Sequence, residues 1–150
     1  MSQLTWDFKK FDELSTDSLY KILKLRSEVF VVEQNCVYLD TDDKDQQSFH
    51  LCGWLDEKLM AYLRILPPGV SYTEPGIGRV VTHSSFRKNG AGKLLMQQAI
   101  EKTYAQFNSS GIKIGAQLYL HAFYTNLGFT QTSEPYLEDG ILHIEMLHSK

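Results

Sequence analysis

Leu4, Trp6 and Phe8 alternate with Thr5, Asp7 and Lys9, the period-2 pattern of a half-buried strand. Ser15 or Thr16 then offers an N-cap, and Asp17 sets a negative charge in the first turn. Leu19, Ile22, Leu23, Arg26, Val29 and Phe30 recur at helical spacing, which predicts an amphipathic helix over 16–33. The next stretch, 33–47, is polar and acidic, with Asp40, Asp42, Asp43 and Asp45, and reads as a surface connection. Apolar runs at 50–55 and 59–66 flank Asp56-Glu57-Lys58, the spacing of a hairpin. Pro67-Pro68-Gly69 ends the second run. A short β-branched run at 77–82 predicts a central strand, and Leu95, Met96, Ala99, Ile100 and Phe107 predict a helix over about 90–107. A strand at 112–116, a helix at about 120–127 stopped by Gly128, and strand from Phe129 follow. Asp139-Gly140 marks a turn before the last strand, 141–147.

The predicted order, β α β β β α β α β β, puts hairpins first and then alternates strands with helices. That pattern implies an α/β (α+β) fold, a mixed sheet covered by helices on both faces. No repeat, low-complexity tract or linker divides the chain, so 1–150 is expected to be one domain.

Composition narrows the function classes. Hydrophobic residues make up 43% and aromatic residues 12%, enough for a packed core. Fifteen Lys and Arg against 18 Asp and Glu give a formal charge of −3 with no basic run, which argues against nucleic acid as partner. No apolar stretch is long enough to span a bilayer, and Asp7 interrupts the N-terminal apolar residues where a signal peptide would be continuous; a cytoplasmic protein without a membrane partner is expected. Cys36 and Cys52 fit no metal spacing and no disulfide framework, and they read as two reduced thiols, with a reactive Cys36 as the alternative. No metal site is expected.

One segment carries chemistry. Arg87-Lys88-Asn89-Gly90-Ala91-Gly92-Lys93 stands between a predicted strand and a predicted helix. The first N–H groups of a helix lack intrahelical acceptors, and the helix dipole places partial positive charge there. Glycine lets phosphate oxygens approach the backbone, and Arg87, Lys88 and Lys93 add formal charge. A Walker A loop would need glycine at Arg87 and a hydroxyl at Leu94. The dinucleotide fingerprint would need glycine at Leu95, and Gly76-Ile77-Gly78 has Val81 in the corresponding place. Arg-x-x-Gly-x-Gly remains; its plain structural alternative is a basic, glycine-containing helix start.

The surroundings sharpen the loop. The segment Arg79-Val80-Val81-Thr82-His83-Ser84-Ser85-Phe86-Arg87-Lys88-Asn89-Gly90-Ala91-Gly92 resembles motif A of the GNAT superfamily of N-acetyltransferases, and Phe123-Tyr124-Thr125-Asn126-Leu127-Gly128-Phe129 resembles its motif B. Residues 26–34 and 136–144 resemble the ElaA-like subgroup. The resemblance implies a mostly antiparallel sheet whose central strands splay into a cofactor cleft. It also implies acetyl-CoA as acyl donor, an amine acceptor and, as in many members, a homodimer. Arg87, Lys88, Asn89, Gly90, Ala91, Gly92 and Lys93 would hold the pyrophosphate. Val80, Val81 and Thr82 would pair with the pantetheine arm, and Gln117 would stand where many members have a cofactor-contacting asparagine. Tyr124 would be the general acid toward the departing thiolate, since a phenol with a reference pKa of about 10 is protonated at neutral pH.

The base that takes the amine's proton has several candidates. Glu33 ends the first predicted helix, where such ends border the acceptor site in this superfamily; Glu28 lies within that helix. His143 and Glu145 share one face of the last strand, and His83 and His121 complete the set. The acidic connection at Asp40, Asp42 and Asp43 would either attract a cationic acceptor or simply be solvated. Three readings follow: an N-acetyltransferase, a transferase of longer acyl groups, and a non-catalytic acyl-CoA-binding module or sensor.

Overall fold

A computed structural model of the chain describes residues 3–87 and 90–150. Strand β1 (Thr5–Lys10) leads to helix α1 (Thr16–Arg26), then to strands β2 (Phe49–Leu55), β3 (Lys58–Leu66) and β4 (Gly76–Thr82). Helix α2 (Ala91–Gln106), strand β5 (Gly111–Gln117) and the short helix α3 (His121–Thr125) follow. Strands β6 (Phe129–Gln131), β7 (Tyr136–Glu138) and β8 (Ile141–Ser149) complete the order.

Helix α1 starts where its cap predicts: Ser15 Oγ accepts from the Ser18 N–H at 3.0 Å, and Asp17 pairs with Lys21 one turn on. It does not run as an α-helix to residue 33. From Ser27 to Glu33 the chain takes the wider π form, with Gln34 N–H donating to Val29 O and Cys36 N–H to Val31 O. Val29, Val31 and Val32 are β-branched and stiff at χ1, so they fit a tight α-turn poorly. Short π segments of this kind concentrate at functional sites.

The sheet runs β1-β2-β3-β4-β5-β8-β6, with β7 on β8, and every pairing is antiparallel except β4 with β5. On β3 the period-2 rule separates two buried faces. Leu63 and Ile65 join Leu95, Met96 and Ala99 of α2 in the larger core, while Tyr62 joins Ile22 and Leu25 of α1 in the smaller one. Each such fully buried Leu, Ile or Met side chain contributes roughly 1.5–3 kcal/mol. Helix α1 therefore covers one face, and α2 with α3 the other.

Two features open the sheet at its centre. The parallel pair β4–β5 is joined only at Gly76 and Lys113, whereas β5 pairs with β8 from Gly111–Ser149 to Gln117–His143. In β4 the register with β3 slips between Tyr62–Val81 and Arg64–Gly78, so Arg79 and Val80 together oppose Leu63. Arg79 sits there at φ 52, a left-handed backbone that costs a non-glycine residue about 1–2 kcal/mol. Beyond the bulge β4 leaves β5.

The acidic connection is not a solvated surface loop. Asp40 and Asp45 are buried, and their carboxylates are consumed by arginines from three separate elements. Arg26, fully buried, donates from Nε to Asp40 at 2.7 Å and from Nη1 to Asp45 at 2.8 Å. Arg64 grips Asp42 with two hydrogen bonds, at 2.7 and 2.6 Å, and reaches Asp45 at 2.9 Å. Arg79 pairs with Asp40 at 2.8 Å, which holds the strained bulge in place. Asp43 alone of the four remains exposed. Local composition misleads here because the neutralising charges are distant in sequence. Both cysteines are buried and unbridged, and Cys36 Sγ donates to the Asp139 carbonyl at 3.3 Å, so it is no exposed nucleophile.

Candidate functional site

The gap between β4 and β5 opens into a cleft of about 940 Å³ that passes from one face of the sheet to the other. Val80, Val81 and Thr82 line it along the departing strand. At one end stand Arg87 and the start of α2. Gly90 is the N-cap residue, with φ +75 and open space around it. That left-handed turn aims the N–H groups of Ala91, Gly92 and Lys93, which have no intrahelical acceptor, toward the end of the cleft. Gly92 faces Phe123, whose ring would lie 3.7 Å from an added Cβ. Lys88 and Asn89, expected in the same loop, lie outside the described residues.

Glu33 and Arg87, expected to serve different halves of the chemistry, meet at this end: the carboxylate is 2.6 Å from Arg87 Nη1. Next to them Gln34 and Gln117 exchange a pair of amide hydrogen bonds at 3.3 Å, joining the end of the π segment to the end of β5. Gln117 thus lines the cleft with its amide already engaged.

Tyr124 enters from α3, on the opposite face. Its ring packs edge-on against Phe123 and Phe129, at centroid distances of 5.1 and 5.9 Å. The residue is 6% exposed and lines the cleft. Burial, and then the neighbouring Tyr119, push its phenol well above the ordinary tyrosine range, so it is held protonated and suited to donate.

The other bank is built by β7 and β8. His143 is 9% exposed; its Nδ1 lies 2.8 Å from the Ile141 carbonyl, and its ring stacks on Tyr136. A carbonyl only accepts, so Nδ1 carries the hydrogen and Nε2 presents a lone pair when the ring is neutral. Nε2 is 3.6 Å from the Glu138 carboxylate. Across the cleft, Tyr72 and Tyr136 converge above Gly115: a Cβ there would lie 3.1 Å from one hydroxyl and 3.3 Å from the other. Burial, with Tyr136, Glu145 and Glu138 nearby, raises the Tyr72 phenol to about 12.

The remaining expected candidates are placed elsewhere. Glu145 shares the face of His143 but is paired with Lys113 at 3.2 Å and does not line the cleft. His83 and Glu28 face a separate groove beside α1, and His121 lines neither. Tyr72, Tyr136 and Glu138 were not singled out from sequence. Alternation on either side of Asp139-Gly140 would have put Tyr136, Glu138 and His143 on one face; nothing local marks Tyr72. Among the described residues no cluster of His, Cys, Asp and Glu could hold a metal ion, and no helix is long and apolar enough to cross a membrane.

Comparison with known proteins agrees with this geometry. The acetyltransferase (GNAT) domain family matches residues 17–149. A UPF0039 protein of Synechocystis is 40% identical over 146 residues, covering 97% of this chain and 95% of its own length. The crystal structure of an acyl-CoA N-acyltransferase from Pseudomonas aeruginosa superposes with a TM-score of 0.93 at 40% identity, over 97% of this chain and 99% of that one. The crystal structure of Escherichia coli ElaA does so with a TM-score of 0.92 at 37% identity, again over 97% and 99%.

Proposed function

The chain belongs to the GNAT acetyltransferase family and is an acyl-CoA-dependent acyltransferase, and from that premise we propose that it moves an acetyl group from acetyl-CoA to a primary amine by direct attack. The observation that carries the reading is the cleft where β4 leaves β5, with the N-terminus of α2 and Arg87 at one end and Tyr124 within it.

In this reading the pyrophosphate sits on the N–H groups of Ala91, Gly92 and Lys93, with Arg87, Lys88, Asn89, Gly90 and Lys93 shaping and charging the loop. The pantetheine arm pairs with the backbone of Val80, Val81 and Thr82, on the edge that β5 leaves free, and Gln117 borders it. The amine nitrogen bonds to the acyl carbon, the C–S bond breaks, and the thiolate takes the Tyr124 proton. Glu33 has a free carboxylate only when a pyrophosphate draws Arg87 away, so any part it plays in removing the amine's proton depends on donor binding. CoA thioesters are held inside cells, so this reading also implies a cytoplasmic enzyme.

Calorimetry with CoA, acetyl-CoA and ATP tests the donor: CoA and acetyl-CoA are expected to bind and ATP not. Thiol release over a panel of amines and acyl-chain lengths tests the transfer. ATP binding without CoA binding would overturn the cofactor, and CoA binding without thiol release would leave an acyl-CoA-binding module.

A further inference from the structure

We propose that His143 is the base that takes the acceptor's proton, and that Tyr72, Tyr136 and Glu138 around it form the station for an aliphatic ammonium group. The assignment rests on the amine reading above and names the residues that make it work.

The cleft offers few uncommitted bases. Asp42 is gripped by Arg64 and approached by Arg79, Glu145 beside the cleft is paired with Lys113, and Glu33 is tied to Arg87 until the donor draws that arginine away. His143 differs from all three. Its Nδ1–H is spent on a carbonyl of its own strand, which fixes the tautomer and leaves the Nε2 lone pair as the proton-accepting site. Glu138 lies 3.6 Å from that nitrogen, which places a carboxylate beside the lone pair. Tyr136 stacks on the ring and holds its plane. His143 is also paired in register with Gln117, at the end of β5 where the sheet has opened.

The surroundings fit a cation. The groups facing His143 are Tyr136 and Glu138 from β7, Asp139 in the turn, Glu145 on its own strand, and Gln117 with Lys113 from β5. Lys113 is the one cation among these described residues, and Glu145 binds it. The hydroxyls of Tyr72 and Tyr136 converge over Gly115, and the missing side chain is what lets both come down to the strand there. An ammonium there can donate to both phenol oxygens and to Glu138.

The proton balance closes. The bound ammonium gives one proton to His143 Nε2, and the neutral amine attacks the acyl carbon. The C–S bond breaks and the thiolate takes the Tyr124 proton. The new amide nitrogen still carries a proton in excess, and this restores the Tyr124 phenol. One proton is released to water, from His143.

The test is the pH profile of kcat/KM for a linear primary alkylamine with acetyl-CoA, alongside calorimetry with CoA. The wild-type chain should lose activity on the acid side as His143 protonates. His143→Gln should lower turnover about 100-fold or more and abolish that acid limb, with CoA affinity unchanged. Glu138→Gln, at an exposed carboxylate, should raise KM for the amine several-fold with CoA affinity unchanged, a split that a merely structural residue would not produce. Glu33→Gln should keep the limb. Retention of the acid limb in His143→Gln, or its loss in Glu33→Gln alone, overturns this assignment while leaving the transferase reading intact. No thiol release from any amine, with CoA bound, overturns both. A nitrogen NMR spectrum of the free protein showing His143 with hydrogen on Nε2 overturns it without any turnover measurement.

Discussion

The arginine–aspartate lattice beneath α1 and the β7–β8 hairpin stand on opposite banks of one cleft, and both are rich in ionisable groups. In the lattice, Arg26, Arg64 and Arg79 meet Asp40, Asp42 and Asp45, and the ion pairs spend the charge on each other. On the hairpin, Glu138 is largely exposed and His143 keeps a nitrogen lone pair. A buried group bonded on every side holds a fold together but has nothing left to exchange with a substrate. A group with one committed atom and one free atom is positioned and still reactive. The density of charge is similar; its saturation is what separates architecture from chemistry.

The largest expected effect is on the lattice. Arg26→Ala leaves two buried carboxylates without their main partner and should lower the free energy of unfolding by about 3–5 kcal/mol, read from urea denaturation. A lattice variant that kept its stability but lost turnover would break the comparison. Next comes the acid proposed on α3. Tyr124→Phe keeps the packing on Phe123 and Phe129 but removes the proposed proton donor, and should cost about 100-fold in kcat with little change in the thermal midpoint. Unchanged turnover from about pH 6 to about pH 9 would remove Tyr124 from the chemistry.

A smaller effect is expected at Gly115. Gly115→Ala places a methyl group against both the Tyr72 and Tyr136 hydroxyls, so KM for the amine should rise several-fold while CoA affinity holds. Equal losses in amine and CoA binding would mean that the two tyrosines do not mark a separate station. The mildest is a pH effect on stability. Burial lowers the affinity of His50 for protons, so the folded state resists protonation that the unfolded chain accepts. Burial also opposes ionisation of Asp45, but the hydrogen bond and charge of Arg26, joined by Arg64, outweigh it and hold the carboxyl below the usual range. Both folded values are depressed, so both contributions are present at high pH and fade on acidification. Stability should begin to fall below about pH 6.5 as unfolded His50 protonates, and again below about pH 4 as unfolded aspartates do. Thermal midpoints that stayed level between about pH 7 and about pH 4 would contradict this order.

Much of the architecture was legible in the pattern of residues. Strand and helix positions followed periodicity, because burial on one face writes a period of 2 or 3.6 into the chain. The start of α2 at Gly90 and Ala91 was legible for a local reason too: glycine marks a helix start within one turn. Three misreadings share the opposite cause. The acidic connection looked solvated because Arg26, Arg64 and Arg79 lie far from it in sequence. The helix over 16–33 looked uniform because hydrophobic spacing does not distinguish an α-turn from the π form at Ser27–Glu33. Tyr72 was silent because it acts through Gly115, on a strand that reaches it only after the sheet forms.

The sequence by itself therefore determined the order of elements as far as α3, the glycine-containing start of α2 and the place of Tyr124 on a short helix, all carried by short-range pattern, whereas the single strand expected from Phe129 is two, β6 and β7. Tertiary structure alone decided which carboxylates are spent and which remain free. Glu33 meets Arg87, Asp42 meets Arg64 and His143 meets Glu138 through folding. A side chain's reactivity depends on the partners that burial brings to it, and those partners are separated along the chain by the very loops and crossovers that bring them together in space.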